Sequence, residues 1–511
     1  SSHLKLGNSL IGAAISEIFE KQTSLDEWSG KGREYFKRSV RDFLAFERTE
    51  DDFSSTVKAK LQKYKKMQSK GTTNYDLKFI LDCKIAGKYG VDIPSLGTLK
   101  GKIGENSLDY YFDDKGKNVK TFSDENTLFH WEPAFPEIFY DENGLEKPDS
   151  GFDIVIGNPP YFNIDSKNNL KELEDYEELS NGVLNAAALF IKKGIDKLRS
   201  GGILGLIVPK SFLHVMSWNE IRKYVLENQL ELACDVGRAF EGVALEQAIF
   251  IIKKQQPKEK HVVRTLKKFE EMNQIPQNDF VEINKILTCV NHSQYQIVKK
   301  VENNSTKLTD IAIMPRGMSV YSKDYSKTAK GNVLVLGGLH IMRFGTKKGT
   351  RKDNQFLSPN NEKIKKKSEI FSKERIIYQN IGTDAVGTLI HAGVPTDDTV
   401  NNLILNDKNF ISYEELLGII NSKLLNFYLR HVIINCAILT IHLDEPYLGQ
   451  LPIKNKRNAD LKKLVKKISE KIRTEPNNEK EIQDIQDKID KIVYEMYELS
   501  DEEIKLVELG H

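Results

Sequence analysis

Phe152-Asp-Ile-Val-Ile-Gly157, followed at once by Asn158-Pro-Pro-Tyr161, is the stretch on which the reading of this chain turns. The first six residues are almost wholly apolar and short, the pattern of a strand buried on both faces of a parallel sheet. The next four cannot continue a strand, because two prolines fix φ and donate no amide hydrogen. Moving outward, Leu184 to Leu198 has helical spacing, Gly201-Gly202 predicts a turn, and Ile203 to Val208 a second buried strand. A helix over about Trp218 to Asn228 and strands over Leu230 to Asp235 and Ala248 to Ile252 follow. Strands alternating with helices predict a doubly wound α/β sheet, with ligands at the strand ends.

The tetrapeptide Asn158-Pro159-Pro160-Tyr161 sits at such a strand end. Its prolines make a stiff turn whose carbonyl oxygens meet no competing donors. The Asn158 carboxamide adds a neutral acceptor. Two fixed acceptors suit an exocyclic amino group, whose two N–H bonds they draw away, leaving the nitrogen lone pair usable. Tyr161 offers a flat face for stacking, worth about 1–3 kcal/mol per base. Together these describe a nucleobase amino group taken out of its duplex. The plainer alternative is a stiff loop with no ligand.

Composition narrows the function classes. The 511 residues are 39% hydrophobic and 29% charged, with 75 Lys+Arg against 73 Asp+Glu, so the formal charge is 75 − 73 = +2. A disordered, collagen-like or disulfide-stapled chain is excluded. The longest apolar runs, Ile203 to Pro209 and Val432 to Leu439, fall far short of the roughly 20 residues of a membrane helix. No secretory leader pattern opens the sequence. Cys83, Cys234, Cys289 and Cys436 stand far apart without metal-ligand spacing, so a soluble cytoplasmic protein without a metal site is expected.

The net charge conceals a segregation. Residues 299–375 hold 18 Lys+Arg and 7 Asp+Glu, or 18 − 7 = +11. That is the footprint of a phosphate-binding surface, although a solvated lysine-rich face gives the same count. The densest part is Arg343-Phe-Gly-Thr-Lys-Lys-Gly-Thr-Arg-Lys352, whose glycines would allow close backbone approach. Arg316, Arg343 and Arg351 are candidate base contacts, since a guanidinium can bond guanine bidentately. Lys347, Lys348 and Lys352 are candidate phosphate contacts, with double-stranded DNA the expected partner. The sequence leaves the oligomeric state open.

Several ordered segments carry a family resemblance. Phe152 to Tyr161 resembles the catalytic motif of adenine-specific DNA methyltransferases, and its surroundings resemble the type IIG restriction–modification branch. Leu6 to Gly12, Phe129 to Phe139, Gly201 to Phe212, Phe240 to Phe250, Leu416 to Leu429 and Ile492 to Ile504 are each similar to segments of that branch. The resemblance implies methyl transfer from S-adenosylmethionine to the amino group of a flipped adenine. Asn158 and the Pro159 carbonyl would hold that group, Pro160 would stiffen the turn, and Tyr161 would stack on the base. Phe240 would pack the base from its other side, or belong to the core instead, and Asn8 would lie near the cofactor adenine. The family's Phe-x-Gly-x-Gly turn is absent ahead of Gly7, as is its metal-dependent nuclease domain. The chain therefore reads as the C-terminal portion of a larger enzyme, with weak or no cofactor binding of its own. Magnesium would serve cleavage only with a nuclease domain upstream.

The expected architecture is a partial Rossmann-like sheet with a helical insertion, an α+β target-recognition domain and C-terminal helices. Its segments are 1–12 (end of the cofactor side), 13–128 (insertion), 129–255 (catalytic half), 256–300 (connector), 301–455 (recognition) and 456–511 (helices). The alternative is a non-catalytic DNA-binding module that merely grips an unstacked base. A third reading moves the substrate to glutamine or RNA.

Overall fold

The computed structural model describes residues 73–95, 99, 113–141, 145–164, 179, 185–242, 244–347, 355–407, 410–438 and 441–510. The expectations for 1–12 and most of 13–128 lie outside these residues. Two compact units make up the chain. The first draws its described residues from the segments up to Leu206, Glu227–Gln229 and Ile251–Pro257; the second comprises Ile207–Leu226, Leu230–Phe250 and Lys258–His511.

The strand that opened the argument is β1 (Phe152–Gly157), and it is placed by its first residue. The Phe152 ring meets Trp131, Phe135 and Phe139 edge-on, at centroid distances of 5.6, 5.5 and 5.7 Å. These rings cover a core formed by α1 (Thr73–Lys88) and α2 (Asp114–Asn126), including Phe79, Leu81 and Val119. Within that core His130 Nε2 meets Asp82 Oδ1 at 2.9 Å, and both side chains are buried. One face of β1 is covered by α3 (Ala186–Asp196), capped by Asn185 accepting from Ala187 N at 3.1 Å. Gly194 lets this helix come close, since a Cβ there would lie 2.8 Å from Leu204 and 3.6 Å from Val155.

The six-stranded sheet has the order β1-β2-β4-β3-β5-β6, with β2 Leu198–Pro209, β3 Gln229–Gly237, β4 Gln247–Lys253, β5 Val262–Lys267 and β6 Glu270–Pro276. Helix α4 (Asn219–Leu226) lies between β2 and β3 in sequence. Pairing is parallel for β1–β2 and β3–β5 and antiparallel for β5–β6, so the sheet is mixed.

Three expectations change. First, among the described residues β1 is an edge strand: Ile154 is 65% and Ile156 84% exposed, on the face opposite Val155. An apolar run alone does not distinguish a central strand from an edge. Second, Gly201-Gly202 is no turn before a strand; it lies within β2 at an irregular register between Phe152↔Leu198 and Ile154↔Ile203. Third, the segment read as a connector supplies β5 and β6. Their two-residue turn, Lys268-Phe269, has φ of 49° and 70°. Positive φ at both positions suits the strand twist but normally selects Asn-Gly, so the hairpin carried no sequence signal.

The recognition segment contains a second, antiparallel sheet of β7 (Ala312–Ile313), β8 (Arg375–Gln379), β9 (Gly387–Ile390) and β10 (Val400–Leu405), in the order β9-β8-β10-β7. The long apolar helix expected from Tyr413 to His431 is divided into α5 (Tyr413–Asn421), α6 (Lys423–Tyr428) and a wider π turn over Leu429–Ile433. Ser422 makes the break by capping α6, accepting from Leu425 N at 3.2 Å. The asparagines in this apolar run dock on the sheet. Asn421 bonds both Gly387 N and Gly387 O at 2.9 Å, and Asn426 accepts from Ala385 N at 2.6 Å.

The C-terminal helices form as the spacing predicts: α7 (Ala459–Thr474), α8 (Glu479–Met496) and α9 (Asp501–Leu509), the last with a capping box between Ser500 and Glu503. Leu461 and Val465 of α7 pack where Gly418 of α5 leaves room. No described helix is long and apolar enough to cross a membrane.

Candidate functional site

The turn after β1 lies in the first unit. Asn158 and Pro160 are exposed, Pro159 is buried and Tyr161 half-buried. The structure joins two of the four residues directly: Tyr161 Oη donates to Asn158 Oδ1 at 2.7 Å. Partial burial raises the Tyr161 pKa, so the phenol remains a donor at neutral pH. A carboxamide oxygen has two lone pairs, and this bond uses one while fixing the plane of the group. The other lone pair is left for an amino hydrogen. Among the described residues none donates to the Pro159 carbonyl. Residue types alone showed a stacking ring and an acceptor, but not that the ring's hydroxyl orients the acceptor.

Phe240 lies in the second unit, in the loop between β3 and β4, and is partly exposed. Gln247, fully buried, pins this loop by accepting from Ala239 N at 2.7 Å and donating to Leu245 O at 2.6 Å. Asn8 lies outside the described residues, as do Lys348, Arg351 and Lys352.

The described basic residues divide by environment. Arg316 is exposed; its Nε donates to Asp398 O at 2.7 Å. The Asn380 carboxamide, turned with its oxygen toward the guanidinium, accepts from Arg316 Nη2 at 2.6 Å and donates to Asp444 at 2.8 Å. The guanidinium is thus held in a fixed plane at the surface. Arg343 is more enclosed and bonds Asp384 at 3.0 Å, a carboxylate that Arg430 grips at 2.6 and 2.7 Å. Gly345 gives close approach to the Ile472 side chain of α7, since a Cβ there would lie 2.5 Å from it. Lys347 is exposed. Among the described residues no group of three His, Cys, Asp or Glu side chains converges as a metal site would require.

Comparison with known proteins finds two matching segments. Residues 76–239 match the Eco57I restriction-modification methylase family, and residues 334–453 match the TaqI-like C-terminal specificity domain. The chain thus holds one segment similar to a restriction–modification methylase domain and another similar to a specificity domain. The methylase domain ends at β3 and the start of the Phe240 loop; the specificity domain contains β8 to β10 and α5 to α6. A Methanocaldococcus jannaschii protein named as a type II restriction enzyme and methyltransferase, RM.MjaORFECS2P, is 28% identical over 326 residues, covering 58% of this chain and 26% of its own. The type II methyltransferase M.VspI of a Vibrio species is 28% identical over 110 residues, covering 22% of this chain and 27% of its own. The chain thus spans about a quarter of the length of these relatives. Among solved structures, the type IIL restriction-modification enzyme MmeI in complex with DNA superimposes with a TM-score of 0.48 and 10% identity, covering 81% of this chain and 64% of that one. The type IIG restriction endonuclease BpuSI gives 0.29 and 12%, covering 68% and 54%.

Proposed function

We propose that the methylase domain transfers a methyl group to the exocyclic amino nitrogen of an adenine extruded from double-stranded DNA. The specificity domain selects the site. The observation that carries this reading is the turn after β1, where Tyr161 fixes the Asn158 carboxamide at 2.7 Å beside a stiff Pro-Pro step. Asn158 Oδ1 and the Pro159 carbonyl accept the two amino hydrogens, and the Tyr161 ring stacks on the base. Phe240 is assigned to the base's other face. This set contains acceptors and rings but no nucleophile, acid or base of its own, so it fits a reaction whose partner arrives already activated. S-adenosylmethionine, the methyl donor implied by the methylase domain, supplies such a group as a sulfonium methyl; Asn8 is the residue assigned near its adenine. The chain's own contribution is then orientation of the amino nitrogen. In the second unit, the fixed Arg316, ahead of the specificity domain, is the first candidate for a base contact, and Lys347, within that domain, for a phosphate contact. Arg343, already committed to Asp384, comes after them.

The test is transfer of tritiated methyl groups to plasmid DNA by the full-length protein. Asn158→Ala should lose at least a hundredfold in rate with DNA affinity unchanged. Retained transfer in that variant removes Asn158 from the reaction.

A further inference from the structure

The second unit contains a buried charged cluster to which the reading above gives no role. Lys210 follows β2 directly, and its three ammonium hydrogens have three acceptors. Lys210 Nζ lies 2.7 Å from Asp235 Oδ2, 3.3 Å from Glu246 Oε1 and 3.2 Å from the Cys436 carbonyl. All three charged side chains are at most 5% exposed. Burial acts against the ammonium, yet the two carboxylates hold the Lys210 pKa above its ordinary value, so it stays charged.

The three acceptors belong to two parts of the unit. Asp235 and Glu246 are the two feet of the loop that carries Phe240. Asp235 Oδ1 also accepts from Gly237 N at 2.9 Å, where the loop leaves β3, and Glu246 O accepts from Lys210 N at 2.9 Å, where it returns. Cys436 belongs to a turn of the specificity domain. Glu246 grips that same turn with its second oxygen, accepting from Ile438 N at 2.8 Å. The turn is held in a conformation that side chains rarely adopt, with φ of 48° at Asn435 and 53° at Cys436. Buried Asn435 maintains it by accepting from Thr288 N at 3.2 Å and donating to Ile286 O at 3.0 Å. Two consecutive left-handed residues without glycine persist only where the surroundings enforce them. The enforced geometry aims one carbonyl and one N–H at Lys210 and Glu246.

We propose that Lys210 and Glu246 are positioning residues that couple the specificity domain to the Phe240 loop, so that site recognition sets the loop for base extrusion. This rests on the base-extrusion reading above. A shift of the 435–438 turn on DNA must move Glu246 or break the two hydrogen bonds that tie the turn to Lys210 and Glu246, and Glu246 is the foot of the loop. Loss of the ion pair should therefore leave the DNA-binding surface intact while uncoupling what the loop does from the sequence that is bound.

The experiment uses residues 1–511 and duplexes selected from a random library by binding, with 2-aminopurine replacing each adenine in turn to report extrusion as a fluorescence rise. Wild type should give a rise at one position, at least tenfold larger than on duplexes altered by one base pair elsewhere in the site. Lys210→Met, and the isosteric Glu246→Gln, which keeps an acceptor for Ile438 N, should bind the selected duplex within threefold of wild type. Both should lose most of that tenfold discrimination in extrusion. If binding and extrusion fall by the same factor, or discrimination is unchanged, Lys210 and Glu246 are structural only and the coupling is refuted. Should Lys210→Met melt below the assay temperature, Glu246→Gln decides by the same criterion. A wild-type chain that gives no rise on any selected duplex overturns the base-extrusion reading and this coupling with it.

Discussion

Replacing Asp490 by Asn should stabilise the specificity-domain unit at neutral pH, by an amount that vanishes in acid. Asp490, on α8, is 2% exposed, and its Oδ1 accepts from Lys423 N at 2.8 Å at the start of α6. Its Oδ2 has no hydrogen bond, and the Lys423 ammonium stands 4.0 Å away. Burial raises the carboxyl pKa from 3.8 to about 6, against the opposing pull of the Lys423 amide and ammonium and of Arg343. A carboxyl whose folded pKa exceeds its unfolded one binds more protons when folded. Stability therefore falls as pH rises between about 4 and 6 and stays reduced above. A difference of about 2 pKa units corresponds to about 3 kcal/mol. Asparagine keeps the oxygen that accepts from Lys423 N and removes the charge. Lys423 retains Asp487 at 3.6 Å and Glu508 at 3.4 Å. The start of a short helix favours an anion by about 0.3–1 kcal/mol, so the net gain at pH 7.5 should be about 2–3 kcal/mol. With a urea dependence of about 3 kcal/mol per molar, the midpoint should rise by somewhat under about 1 M. Urea titrations of both proteins at pH 7.5, 6 and 4.5, followed by tryptophan fluorescence and circular dichroism, measure this. A variant no more stable than wild type at pH 7.5, or a gain that does not shrink toward pH 4.5, refutes the reasoning.

Further outcomes follow from the geometry at Tyr161 and at three arginines. Tyr161→Phe keeps the stacking ring but frees the Asn158 carboxamide, so methyl transfer should fall about fivefold, a bond worth about 1 kcal/mol. Tyr161→Ala should fall about 10- to 100-fold, and equal rates in the two variants would show that the hydroxyl alone matters. Arg316→Ala should relax the base preference at one position of the selected site, read by competition binding. Arg343→Ala should change preference little and cost roughly 1 kcal/mol of stability, since Arg430 still holds Asp384. Arg375, fully buried, bonds Asn402 Oδ1, Lys373 O and Val394 O. Arg375→Met should strand the two carbonyls, while Asn402 Oδ1 keeps Thr396, and destabilise the unit by about 3 kcal/mol or more, measured by urea unfolding.

Local chemistry by itself determined much of this protein. The alternation of apolar runs and helical spacing located β1 to β4 and α3 to α4. The Ser500 capping box and the Pro476 break located the last helices, and the Asn-Pro-Pro-Tyr turn was legible because its stiffness is a property of the residues themselves. What needed the tertiary structure was every feature set by residues distant in sequence. An apolar strand reads the same at the centre and at the edge of a sheet, so the exposure of Ile154 and Ile156 was hidden. The charge of Arg343 was plain, but its commitment to Asp384 depends on a partner 41 residues away. Lys210 was one lysine in a motif until the fold brought it Glu246 from 36 residues away and Cys436 from 226. A side chain's type is fixed by the sequence; whether it is a free charge, a strut or a hinge is decided by which distant groups folding places within about 3 Å of it.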